Sequence, residues 1–130
     1  MSKFTAFRHV AVEPADATPP AERIVAGKLS NRSWRNYVAL DQNLVSGLWE
    51  ATPGTWRMDY KVWEFCHVLS GRCVITPEGQ APIELKAGDA FVCEPGLKGT
   101  WQVLETMRKH YVIRKDVTEA MFAAKPAKAA

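Results

Sequence analysis

Trp63-Glu64-Phe65-Cys66-His67-Val68-Leu69-Ser70-Gly71 is the stretch that decides the fold. It reads as a buried strand ending in a turn, with one carboxylate, Glu64, in an otherwise apolar run. An isolated buried carboxylate is costly, so it calls for a partner or a task. Alternation puts Glu64 and Cys66 on one face and Phe65, His67 and Leu69 on the other.

Working outward, the same pattern of short strand and Gly or Pro turn repeats. Arg72 to Thr76 is expected to return as the second arm of a hairpin around Ser70-Gly71. Upstream, strands are expected over 35–40, 44–50 and 55–60, separated by Asp41-Gln42-Asn43 and Thr52-Pro53-Gly54. Downstream, strands are expected over 83–85, 90–93, 100–105 and 108–114, with turns at Pro77-Glu78-Gly79-Gln80, Lys86-Ala87-Gly88-Asp89 and Glu94-Pro95-Gly96. Residues 1–33, with Pro14, Pro19 and Pro20, suit an extended arm that wraps the body or reaches a second subunit. Only Asp116 to Ala124 has a helical pattern, with Asp116 as N-cap and a flexible tail behind it. The division is therefore an arm over 1–33, a barrel over 34–115, and a short helix and tail over 116–130. Even spacing of short strands without interleaved helices means a small all-β barrel or sandwich.

Composition narrows the function classes. A chain of 130 residues is sized for one domain. The formal charge is +3, part of it in Lys125 and Lys128 of the tail, and no basic stripe favours nucleic acid. No run approaches the roughly 18 apolar residues of a membrane span, and Met1 to His9 lacks the apolar core of a signal peptide. The odd cysteine count (Cys66, Cys73, Cys93), all in apolar runs, reads as reduced thiols in a cytoplasmic protein.

These residues resemble the cupins. Glu64 followed after six residues by Gly71 is similar to the end of the first cupin motif. Gly88-Asp89, Glu94-Pro95-Gly96 and Gly99-Thr100-Trp101 resemble the second. Gly47-Leu48-Trp49-Glu50, Pro53-Gly54, Trp56 and Arg108-Lys109-His110-Tyr111 narrow the likeness to small single-domain cupins related to the cupin domain of ureidoglycine aminohydrolase. The resemblance covers residues 44–114. It implies a double-stranded β-helix of the jelly-roll type, often a homodimer, with any site inside the barrel.

The metal set that the family pattern implies is not reproduced. Its two histidines fall on Met58 and Tyr60, or on Arg57 and Asp59 with the longer spacing, and its last ligand falls on Gly99. Only Glu64 remains of four positions. A transition metal wants three or four N, O or S donors at about 2.0–2.3 Å. No metal or other cofactor is therefore expected. The alternative is a divalent ion (Mn, Zn, Fe or Ni) on Glu64 and Cys66 with a third ligand such as Glu94.

Glu64 is the candidate general acid or base, or else half of an ion pair with Lys109. Strand 108–114 can turn either face inward, and the family likeness favours Lys109 and Tyr111. The candidate ligand-binding set is Glu64, Tyr60, Met58, Trp101, Lys109 and Tyr111, the aromatics serving as walls. His9, His67 and His110 read as structural or surface groups. The apolar face of Phe65 and Leu69 needs cover from the arm or a second subunit, a residue-based reason to expect a homodimer. The main functional expectation is a metal-independent barrel that binds a small polar metabolite. The alternatives are an aminohydrolase- or isomerase-type enzyme with an atypical metal set, and an interaction module whose barrel is filled.

Overall fold

The computed structural model of the chain describes residues 3–115. The expected helix over 116–124 and the tail lie outside the described residues. The strands are β1 (Ala15–Asp16), β2 (Ile24–Ala26), β3 (Asn31–Ala39), β4 (Leu44–Ala51), β5 (Gly54–Asp59), β6 (Trp63–Pro77), β7 (Ile83–Lys86), β8 (Ala90–Cys93) and β9 (Lys98–Arg114). All pairings are antiparallel, as expected of a cupin barrel. No helix among the described residues is long and apolar enough to cross a membrane.

Two long strands form the spine. β9 pairs along its first half with β5 and along its second half with β4, while β6 runs antiparallel to it on the other side. β8 pairs with the first half of β6 and β7 with the second. The expected hairpin around Ser70-Gly71 is a correction: β6 is one 15-residue strand that bends there, with register shifts between Val68 and Cys73. The physical reason is the crossing with β9. Gly71 has φ +80°, and a Cβ at this position would sit 2.3 Å from the Thr106 carbonyl oxygen. Glycine there permits a close approach of two strands rather than a reversal of one. The two expected strands over 100–105 and 108–114 are likewise one continuous β9.

Alternation then sorts the faces. Val68, Cys73, Ile75, Trp101, Val103 and Met107 are buried together with Ala51, Trp56 and Met58. Trp56 and Trp101 are direct cross-strand partners, and their rings stack at 5.5 Å. Such aromatic pairs contribute roughly 0.5–1.5 kcal/mol beyond their burial. The outward face carries Phe65, Leu69 and Val92, each partly exposed. The arm wraps the body: β1 pairs with β3, β2 with β5, and Phe7 packs edge-on against His110. β3 starts at Asn31, so it crosses the boundary set at 33/34 from sequence.

Candidate functional site in the barrel mouth

Register on either side of β9 builds the site. Trp49 of β4 lies directly opposite Lys109. On the other flank Cys66 of β6 pairs with Tyr111, and Glu64 with Ile113, so both side chains lie diagonally ahead of Lys109 on the same inward face. Lys109 is 2% exposed and Tyr111 3%, which resolves the facing of this strand.

Lys109 donates to Glu64 Oε2 at 3.2 Å and to Cys66 Sγ at 3.2 Å. Its ammonium also lies 4.4 Å from the Trp49 ring centroid and 4.6 Å from that of Trp101. A desolvated cation against an indole face gains up to about 2 kcal/mol, so two such faces offset part of its lost hydration. Glu64 Oε1 accepts the Tyr60 hydroxyl at 2.7 Å. Tyr60 is held at this point by backbone bonds to the facing turn, its N–H to the Leu97 carbonyl and its carbonyl from the Gly96 N–H.

Protonation states follow from burial and neighbours. Burial opposes the charge of Lys109, but the facing Cys66 and Glu64 outweigh it and hold the ammonium protonated. Burial pushes the Cys66 thiol from 9.0 up to about 12, against the pull of Lys109. Burial and the adjacent Glu64 raise Tyr60 well above its ordinary value. At neutral pH the cluster is therefore a thiol, a phenol and an ammonium around one carboxyl. Both oxygens of Glu64 are engaged, which leaves it poorly placed to abstract a proton.

A cavity of about 300 Å³ opens above this cluster. Tyr60, Glu64, Trp101, Lys109 and Tyr111 line it, so the structure brings five of the six expected ligand residues together. Met58 is not among them: it is buried in the core cluster and faces a different groove, opposite Gly99. The sequence reading missed Asn31, Ser33 and Arg35 of β3, Trp49, Trp56, Lys115, and Asp16 of the arm. The period-2 spacing of Asn31, Ser33 and Arg35 was the available signal for one shared face. The Ser33 and Tyr111 hydroxyls share a hydrogen bond of 2.7 Å. Two buried polar atoms of residues that line the cavity, Asn31 Oδ1 and Trp101 Nε1, have no hydrogen-bond partner among the described residues.

The residues do not fit a cupin metal. Among the described residues no three His, Cys, Asp or Glu side chains converge. A side chain at position 99 is sterically excluded, since a Cβ on Gly99 (φ +150°) would lie 2.1 Å from the Thr76 carbonyl oxygen. Arg57 reaches the Glu22 carbonyl, and Asp59 pairs with Lys61 at 3.2 Å. The Lys109 ammonium already fills the space beside Glu64 and Cys66 where a cation would sit. His67 and His110 are direct partners on the outward face, away from the cavity.

A family model described as the EutQ-like cupin domain matches residues 38–111. No curated protein matches the chain. The solved structures similar to it include a protein of unknown function of the DUF861 family from Pseudomonas syringae, with TM-score 0.73 and 21% identity over 82% of this chain and 45% of that one. The chain thus spans under half the length of that protein. The EutQ protein of Clostridium difficile gives TM-score 0.58 and 19% identity over 67% of this chain and 64% of that one. A putative ethanolamine utilization protein Q from Salmonella typhimurium gives 0.56 and 16% over 80% and 97%. At these identities the likeness is one of fold.

Proposed function

The chain belongs to the EutQ-like cupin domain family, and from that premise we propose that it is a metal-independent cupin binding a small polar metabolite in the barrel mouth. One observation carries the reading: Asn31 and Trp101 both line the cavity, and the buried acceptor Asn31 Oδ1 and buried donor Trp101 Nε1 have no hydrogen-bond partner among the described residues. Leaving a buried polar atom unsatisfied costs roughly 1–3 kcal/mol, so a pair of them in one cavity favours a ligand that completes both. In this reading Glu64 and Lys109 form a fixed polar floor, and Trp49, Trp56, Trp101 and Tyr111 form walls. Lys109 supplies, as a tethered cation, the positive charge that a metal supplies in other cupins. Binding is favoured over catalysis because the ammonium and the phenol already occupy Glu64.

The test is a thermal-shift and calorimetric screen of small polar metabolites on the full chain, dialysed against EDTA. Saturable binding that persists in EDTA and is lost in Asn31→Leu is the expected result. Binding that appears only after a divalent ion is added back would overturn the reading.

A further inference from the structure

The cavity's charge inventory identifies the class of ligand. Among the described residues, five ionisable side chains other than tyrosine line it: Asp16, Arg35, Glu64, Lys109 and Lys115. Glu64 and Lys109 neutralise one another at the floor. Asp16, on the arm, is exposed and accepts the Thr18 N–H at 3.0 Å, an interaction that holds its carboxyl below the ordinary range. Arg35 and Lys115 form no ion pair among the described residues. The described residues at the mouth therefore carry two cations, Arg35 and Lys115, against one carboxylate, Asp16.

Arg35, on the same face as Asn31 and Ser33, sits at the start of a local distortion. Pairing of β3 with β4 shifts register between Trp34 and Tyr37. The bulge sits directly over Gly47, where a Cβ would lie 1.7 Å from the Trp34 carbonyl oxygen. Bulges commonly re-aim a side chain beside a functional site. Here the bulged segment carries Arg35, which lines the same cavity as Ser33, two residues before it.

We infer that the ligand is a small organic carboxylate with a compact, flat apolar body, its charged end at the mouth between Arg35 and Lys115. This rests on the reading of the cavity as a binding site and adds the ligand's charge and shape. An anion at the floor would meet Glu64, whereas at the mouth a planar carboxylate meets the planar donor fork of a guanidinium. The body then lies against Trp49, Trp56 and Trp101, within a volume of about 300 Å³ that admits only a small molecule. A neutral polar substituent on the body completes Asn31 Oδ1 and Trp101 Nε1. The Ser33–Tyr111 pair adds one donor, because whichever hydroxyl accepts within the pair keeps its own proton free.

The experiment uses the full chain, tryptophan fluorescence and calorimetry at fixed ionic strength, with four probes: benzoate, its neutral isostere benzamide, benzylammonium and inorganic phosphate. Benzoate is expected to bind saturably and at least ten-fold more tightly than benzamide, and benzylammonium and phosphate are expected to bind more weakly than either. Arg35→Gln with Lys115→Gln, both at exposed positions, should bring benzoate down to the affinity of benzamide and leave benzamide unchanged. Equal affinity for benzoate and benzamide would remove the inferred charge preference while the binding site stands. Phosphate binding as tightly as benzoate would remove the apolar body. If no probe binds, the cavity reading falls with the inference.

Discussion

Lys109 Nζ lies 3.2 Å from Glu64 Oε2 at a point where both side chains are almost fully withdrawn from water. The pair sits on adjacent strands, β9 and β6, and joins the two halves of the barrel spine at the floor of its cavity. Its worth is best read by asking what each half costs without the other.

Lys109→Met leaves Glu64 buried with only the Tyr60 hydroxyl. Breaking a buried pair from one side typically costs about 3–5 kcal/mol, whereas replacing both members by uncharged groups is often near neutral. The expected outcome in urea denaturation is a large loss for Lys109→Met and recovery of most of it in Glu64→Gln/Lys109→Met. A double variant no more stable than the single one would mean that the two charges do not depend on each other.

Tyr60→Phe removes the donor to Glu64 Oε1 and keeps the ring. The loss should be about 1–3 kcal/mol, the cost of leaving a charged buried acceptor one bond short. A loss below about 0.5 kcal/mol, within the range of surface substitutions, would show that water replaces the phenol. The same denaturation measurement reads it.

Alkali should destabilise the fold through the thiols. Burial raises Cys66 to about 12 and Cys73 and Cys93 to about 11, from an ordinary 9.0. Because the folded values are the higher ones, the unfolded chain releases these protons first. The stabilisation is complete below pH 9 and is lost as pH rises through 9 toward 11–12. At about 1.4 kcal/mol per unit, three thiols lower stability at pH 10, relative to pH 7, by on the order of 4 kcal/mol. Lys109 adds in the same direction above 10.5. The urea midpoint against pH is the measurement, and it should flatten in a chain with all three cysteines changed to alanine.

Gly47→Ala should be far worse than Gly79→Ala. A Cβ at Gly47 meets the Trp34 carbonyl oxygen at 1.7 Å, backbone that cannot step aside without undoing the bulge under Arg35. Gly79 has φ +78° but open space around it. Expected losses are roughly 3 kcal/mol or more at position 47 and about 1 kcal/mol at position 79. Equal losses would show that β3 relaxes away from Gly47.

Much of this architecture was legible along the chain. Alternation around Glu64 separated inward from outward side chains, and the Gly and Pro turns marked most strand ends, although β6 and β9 were each read as two strands and the short arm strands β1 and β2 were not counted. Lys109 could be named as a partner for Glu64 because a buried carboxylate calls for a cation, but the facing of strand 108–114 rested on the family likeness until its burial was seen. The errors share one cause. Ser70-Gly71 has the composition of a hairpin turn, but its glycine serves a crossing with a strand more than thirty residues away. Met58 alternates correctly into the core, yet the core and the cavity are different places on the same inward face.

The sequence by itself therefore determined the all-β class and the alternation of side chains within each strand, and it offered Lys109 as one partner for Glu64, readings that follow from local period and from the cost of burying charge. Tertiary structure alone decided that Asn31, Arg35 and Lys115 meet the aromatic walls in one cavity, and that position 99 has no room for a side chain. Those facts depend on strand register and on sub-ångström approach between distant backbones. No pattern within a single strand encodes either.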